Sequence, residues 1–382
     1  MLQELAQRAK TVVAGRADQF FIEGEYGIGK TSTAKVAQLQ IKQLYELYPI
    51  YASLGGVKTL DEVAEAVLRA AVVAGGAETS GTLEKLGEFL GRYGAKLKMP
   101  GLEISLEALK KSAPELASPF GLLGFLNEWN RTAGSRGISL VMDEINGIAN
   151  EPRFSQFLKS FVEINVLSDR PMPLLLILCG TAGRRMEMIR QHQPMDRLFR
   201  IIGLRPLTLE DSHAFFMKAF NSVNISADHN ALWELSVAGQ GFPRMMQLLG
   251  EAAYECDQDG IIDLADVNQA ILRAAEEVGK RYVDQQVIKA LRSPEYKAIL
   301  NKLVDVDNGL DGFLDADLRP LLTESESKKL PSFLQRMKKL NVLRAGEEKG
   351  RYYFTTAMTW VYLFSRFRGP AHAAAQYKGY ST

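Results

Sequence analysis

The stretch Gln19-Phe20-Phe21-Ile22-Glu23-Gly24-Glu25-Tyr26-Gly27-Ile28-Gly29-Lys30-Thr31-Ser32-Thr33-Ala34-Lys35-Val36-Ala37 decides the fold of this chain. Its first four residues form an apolar run that predicts a buried strand. Gly24 to Thr31 then fits the pattern G-x-x-x-x-G-K-[ST] in full, and Thr31 to Ala37 reads as a helix. The glycines let the backbone curl until its N–H groups point into one anion-sized hollow. The helix that follows presents its N-terminus to the same hollow, where the dipole favours a phosphate. In such a loop Lys30 reaches the β- and γ-phosphates and the Thr31 hydroxyl holds Mg²⁺. The expected nucleotide contacts are therefore Gly24, Glu25, Tyr26, Gly27, Ile28, Gly29, Lys30, Thr31 and Ser32.

A second motif lies further along. Ile138-Ser139-Leu140-Val141-Met142 is a nearly continuous apolar run that ends in Asp143-Glu144. Such a run predicts a central strand of a parallel sheet, buried on both faces. Its C-terminal end is where open α/β sheets bind ligands. Asp143 is expected to hold Mg²⁺, directly or through water. Glu144 is expected to orient and deprotonate the attacking water, because hydrolysis needs a base as well as charge neutralisation.

Around these motifs the first 205 residues alternate apolar runs with helical periodicity, as a parallel α/β sheet requires. The predicted strands are Gln19–Glu23, Tyr48–Leu54, Ile138–Asp143, Leu174–Thr181 and Phe199–Leu204. A Gly- and Lys-rich excursion over about 75–119 reads as a surface insertion, partly helical. Residues 206–280 read as purely helical, with caps at Thr208-Leu209-Glu210-Asp211 and Asp263-Leu264-Ala265-Asp266, and form a predicted lid. Residues 281–370 read as three helices and a two-stranded ribbon, Val342–Ala345 and Arg351–Thr355, which is the pattern of a winged helix. A tail over 371–382 follows.

The 382 residues carry 46 Lys and Arg against 45 Asp and Glu, a net charge of +1, which argues against a wholesale polyanion binder. The charge is uneven: 17 basic residues face 11 acidic ones after Lys280, a local net of +6, and about −5 lies before it. No run of eighteen apolar residues suggests a membrane span, and the N-terminus reads as an amphipathic helix, not a signal peptide. Cys179 and Cys256 have no metal or redox spacing and are expected to be buried thiols in a reducing cytosol, so a cytoplasmic location is expected. The four histidines are scattered, and none is assigned as a ligand.

The two motifs together resemble the AAA+ ATPases, and the resemblance covers most of the chain. Leu174-Leu175-Leu176-Ile177-Leu178-Cys179-Gly180-Thr181 is similar to the strand that ends in the polar sensor-1 residue, which implies that role for Thr181. Arg197-Leu198-Phe199-Arg200-Ile201-Ile202 resembles the segment that presents an arginine finger across a subunit boundary. Arg197 is the preferred finger and Arg200 the other possibility. Gly239-Gln240-Gly241-Phe242-Pro243-Arg244 is similar to the lid segment whose arginine, here Arg244, is sensor 2. Arg184 and Arg185 are alternative phosphate contacts. With a C-terminal winged helix, the combination resembles the branch that holds origin-recognition-type initiators and archaeal STAND-type switch ATPases. Some twenty residues precede Gly24, so the adenine-contacting segment usual in this branch is expected to be short or absent and the lid to supply the adenine wall.

The winged helix is the expected readout. In Ser327–Leu340, Leu330, Phe333, Leu334, Met337 and Leu340 fall at helical spacing and predict a core stripe. Lys328, Lys329, Arg336, Lys338 and Lys339 lie outside it, and the wing adds Lys349 and Arg351. A basic recognition helix and wing can follow phosphates and enter a major groove, so double-stranded DNA is the expected partner. Acidic residues near Asp311, Asp315 and Asp317 work against a broad footprint. The aromatic run Trp360-Val361-Tyr362-Leu363-Phe364 is expected to close the core. The sequence thus predicts an ATP- and Mg²⁺-dependent AAA+ switch, slow in hydrolysis, self-associating through its ATPase domain and coupled to DNA as an initiator, loader or mobile-element regulator. The other reading is a STAND-like regulatory or defence switch whose winged helix docks an effector protein. A non-hydrolysing nucleotide binder is disfavoured, since Lys30 and Glu144 are both present.

Overall fold

The computed structural model describes residues 1–75, 116–289, 291–306 and 312–376. The chain divides into two compact units, Met1–Arg205 and Pro206–Thr382.

The first unit opens with α1 (Leu2–Val13), β1 (Ala17–Glu23), α2 (Lys30–Tyr45), β2 (Tyr48–Ser53) and α3 (Leu60–Gly75). It continues with α4 (Pro119–Ala133), β3 (Ile138–Asp143), α5 (Pro152–Leu167), β4 (Leu174–Gly180), α6 (Ala182–Gln191), a 3₁₀ turn over Gln193–Arg197 and β5 (Arg200–Gly203). The five strands form one sheet in the order β2-β3-β4-β1-β5, and every neighbouring pair is parallel. Each strand begins or ends within a residue or two of its predicted bound. Residues 76–115, most of the expected insertion, lie outside the described residues.

The sheet is covered on both faces because its strands are apolar on both. β3 and β4 are buried along their whole length. In β1, Phe20 and Ile22 join the core beneath α1 and α2 with Val141, Leu175, Ile177 and Cys179. Phe21 points the other way, into the core built with α3, α4 and α5. Gln38 is buried in α2, and its amide donates to the carbonyls of Ile50 and Ser139. These bonds use both N–H donors of the amide and tie the helix to two strands at once. Asp143, at the C-terminal end of β3, stands two strands from β1, with β4 between them.

The second unit begins with α7 (Leu209–Asn221), β6 (Ser226–Ala227), α8 (His229–Gly239), α9 (Pro243–Cys256), β7 (Ile261–Ile262) and α10 (Leu264–Val278). Thr208 caps α7 by accepting the Asp211 N–H, and Asp263 and Asp266 form a reciprocal capping box on α10. The region is not purely helical: β6 and β7 pair in parallel over two residues each. These strands are too short to give an alternating pattern, which is why the sequence does not mark them. A π-helical segment, Gly279–Ile288, extends α10.

The winged helix follows as α11 (Pro294–Leu303), β8 (Phe313–Leu314), α12 (Asp315–Leu318), α13 (Glu324–Lys339), β9 (Leu343–Ala345) and β10 (Arg351–Phe354). Its sheet has three strands, in the order β8-β10-β9, not the two the sequence predicts. Two-residue β8 is again too short to be seen as a pattern. Asp311 lies outside the described residues; Asp315 and Asp317 are in α12. Leu330, Phe333, Leu334 and Met337 are buried on α13, with Leu340 packed at the margin. α14 (Ala357–Arg368) is a core helix, and its Trp360 indole donates to the Val304 carbonyl. The expected tail starts as a helix, α15 (Pro370–Gln376), whose Ala373 is buried. One apolar cluster runs from Phe216 in α7 to Ala373, so the lid and winged helix share a core.

Candidate nucleotide site

The loop between β1 and α2 is shaped by its glycines. Gly27 and Gly29 have φ of +80° and +97°, a region in which side-chain-bearing residues are strained. At Gly24 a Cβ would stand 2.8 Å from the Ile28 side chain, so the loop closes over this position only without one. Ile28 is buried while Tyr26 is exposed, with the Lys30 ammonium 5.6 Å from its ring centre. Lys30 Nζ donates to the carbonyls of Gly24 and Glu25 at 2.9 and 2.8 Å. Burial lowers its pKa, and the nearby Asp143 opposes that shift. Ser32, in the first turn of α2, is exposed.

Residues 112 positions apart meet at the end of β3. Thr31 Oγ1 donates to Asp143 Oδ2 at 2.5 Å, and the Asp143 side chain is buried. Its other oxygen, Oδ1, accepts the Glu144 N–H at 2.7 Å. Glu144 has φ of +58°, a left-handed conformation that costs a non-glycine residue about 1–3 kcal/mol. That turn carries its carboxylate over Gly55, where an added Cβ would lie 2.4 Å from Oε2. Ser53 Oγ donates to the same oxygen at 3.2 Å.

Sequence reasoning misses a further member of this group. Tyr51 of β2 donates its hydroxyl to Asp143 Oδ2, the oxygen that also accepts from Thr31. Lys35 of α2 places its ammonium 4.8 Å from the centre of the Tyr51 ring. Burial, reinforced by the Asp143 hydrogen bond, pushes the phenol's pKa up, so it remains a donor. The available signal is the strand period: Tyr51 and Ser53 share one face of β2, and Ser53 is in register with Asp143. It becomes readable once β2 is known to lie beside β3.

The remaining candidates separate clearly. Thr181 is the N-cap of α6, and its hydroxyl accepts the Arg184 N–H at 3.3 Å. Arg184 pairs with Glu187, Arg185 with Glu23, and Arg200 with Asp18. Arg197 is exposed at the end of the 3₁₀ turn, where it lines an open cleft of about 450 Å³ with Lys159, Glu163, Gln193, Pro194 and Leu198. Arg244 is exposed in the first turn of α9, in the second unit. Cys179 and Cys256 are both buried.

On the winged helix, Lys329, Arg336, Lys338, Lys339 and Lys349 are exposed. Lys329, Ser332, Arg336 and Lys339 follow one another at spacings of three and four and so share a face of α13. Lys328 pairs with Glu324 and Arg351 with Glu348, while Lys338 lies 5.9 Å from the Tyr352 ring centre. Glu326 is buried at the start of α13 and accepts Lys302 Nζ at 2.6 Å and the Thr323 N–H at 2.8 Å.

This sheet order, with a Gly-rich loop after β1 and a carboxylate pair after β3, defines the AAA+ P-loop fold, here followed by a helical lid and a winged helix. Among solved structures the chain is similar to a Walker-type ATPase of Pyrococcus abyssi, at 16% identity over 94% of each chain with a TM-score of 0.58. It is also similar to the ORC2 protein of Aeropyrum pernix in its ADPNP–ADP complexes, at 14% identity over 98% of this chain and 93% of that one, with a TM-score of 0.61. At these identities the likeness is one of fold. No protein-family model and no curated protein matches the sequence. Among the described residues no helix is long and apolar enough to cross a membrane.

Proposed function

We propose that this protein is an ATP-binding and ATP-hydrolysing AAA+ switch that couples its nucleotide state to double-stranded DNA through the winged helix. The observation that carries the reading is the contact of Thr31 with Asp143, with Glu144 turned out beside them at the C-terminal edge of the sheet. The Gly24–Thr31 loop supplies backbone N–H groups and Lys30 for the β- and γ-phosphates. Thr31 and Asp143 are two hard oxygen donors side by side, a set that suits Mg²⁺. Bound Mg²⁺ would neutralise charge on the phosphate oxygens. Glu144 is the proposed base on the attacking water, and Thr181 and Arg244 the proposed polar and cationic contacts to the γ-phosphate. The ORC2 relative was solved with ADPNP and ADP, which agrees with ATP and ADP as ligands here.

Arg197 is the proposed finger acting on a neighbouring copy. Arg200, the other possibility, is engaged in an ion pair with Asp18, whereas Arg197 is exposed in the 3₁₀ turn before β5. The DNA reading rests on the exposed basic face of α13 and on the net +6 after Lys280. A second reading, a regulatory switch whose winged helix docks an effector protein, is favoured by one observation: Lys328 and Arg351 are compensated by Glu324 and Glu348.

Phosphate release and binding of a fluorescent ATP analogue test the chemistry. Lys30→Ala is expected to lose nucleotide binding. Glu144→Gln is expected to keep binding and lose hydrolysis by about 10²–10⁴-fold, the usual contribution of a general base. With a finger acting in trans, the rate per protomer should rise with protein concentration. Hydrolysis by Glu144→Gln at the parent rate would remove Glu144 from the role of base.

A further inference from the structure

We infer that Tyr51 is a positioning residue for the metal-binding carboxylate, an inference that rests on the reading of Asp143 as a Mg²⁺ ligand. Asp143 Oδ2 accepts two hydroxyl hydrogens, one from Thr31 and one from Tyr51. A carboxylate oxygen has two lone pairs, so both are used. Thr31 is the partner that must turn its oxygen toward a cation, and when it does, the lone pair facing it is released. Tyr51 keeps the other lone pair. It therefore holds the carboxylate with Oδ2 aimed at Thr31, while the Glu144 N–H holds Oδ1 from the opposite end.

Tyr51 is itself fixed from two directions. It belongs to β2, whose register beside β3 runs from Tyr48 opposite Ile138 to Ser53 opposite Asp143. Its ring packs under the Lys35 ammonium, one helical turn after Thr31 on α2. The phenol thus links the helix that carries Thr31 to the strand that carries Asp143. Outer hydrogen bonds of this kind orient metal ligands, and their loss typically costs 10–100-fold in metal affinity.

The test is Mg²⁺ titration of nucleotide binding, read by anisotropy of a fluorescent non-hydrolysable ATP analogue, for the parent, Tyr51→Phe and Asp143→Asn. Tyr51→Phe keeps the ring and its Lys35 contact and removes only the donor. The expected result is unchanged analogue binding in excess chelator and a half-saturating Mg²⁺ concentration raised about tenfold. Tyr51→Met, which loses the donor with a different shape, should shift in the same direction. Thermal melting of the nucleotide-free variants reports folding independently. A purely structural tyrosine would change the melting temperature, or analogue binding with and without metal alike, and leave the Mg²⁺ requirement where it was. If Asp143→Asn raises the Mg²⁺ requirement and neither Tyr51 variant does, this inference is overturned and the reading of Asp143 stands. If none of the variants alters the Mg²⁺ requirement, the role of Asp143 fails, and that of Tyr51 with it.

Discussion

At Glu144 the backbone adopts φ of +58°, and the side chain is laid over the bare Cα of Gly55. Strain of this kind is held by its surroundings, and here these are the Asp143 carboxylate on the Glu144 N–H and the Ser53 hydroxyl on its carboxylate. Gly55→Ala would put a methyl group 2.4 Å from Glu144 Oε2, and the carboxylate must move by roughly an ångström. A displacement of that size at a reacting group can cost about 100-fold in rate. The expected outcome is a fall in ATP turnover of that order with analogue binding unchanged, measured by single-turnover hydrolysis beside a binding titration. Unchanged turnover would mean that the Glu144 carboxylate is not held by this packing. The residues at this scale were unevenly legible. Lys30, Thr31, Asp143 and Glu144 could be read because each sits at a fixed offset in a motif. Tyr51 and Gly55 could not, because their partner is 90 or so positions away and is reached only through the pairing of β2 with β3.

Among the elements, α13 shows how a surface helix is anchored. Its apolar stripe buries Leu330, Phe333, Leu334 and Met337, and its first turn is fixed by Glu326. That carboxylate completes the capping box with Thr323 and reaches across to Lys302 of α11. The Lys302 ammonium first, and then the Thr323 N–H, hold the Glu326 pKa below the ordinary value of 4.5. A depressed carboxylate pKa adds stability that is complete above the unfolded-state value and is lost as pH falls through the folded-state value. The melting temperature of the parent should therefore drop more steeply below pH 4.5 than that of Glu326→Gln, in parallel thermal melts from pH 6 downward. Parallel curves would show that the pair adds nothing to the anchoring of α13. The strands of the first unit and the helices of the second were readable, since each is long enough to show a period. β6, β7 and β8 have two residues each and exist only because a neighbour pairs with them. The short turn Gln193–Arg197 was likewise invisible as an element, although Arg197 was singled out.

For the whole molecule, the chain falls into two compact units, Met1–Arg205 and Pro206–Thr382. The tertiary core of the second unit was not readable: lid helices and winged helix pack into one cluster, and no local pattern announces which apolar faces will meet. The proposed coupling lies at this scale, between a nucleotide site in the first unit and a basic face in the second. It is tested most directly by anisotropy of a labelled DNA duplex titrated with Glu144→Gln protein, in ATP and in ADP, across a range of salt. Tighter binding is expected in ATP, with log affinity falling linearly with log salt at about −0.9 per phosphate neutralised. Arg336→Glu with Lys339→Glu is expected to weaken binding on every sequence and to make the slope shallower by about one to two units. Equal affinity in the two nucleotides, or no binding by folded protein at low salt with ATP, would contradict the proposed coupling and leave the protein-docking switch as the better reading.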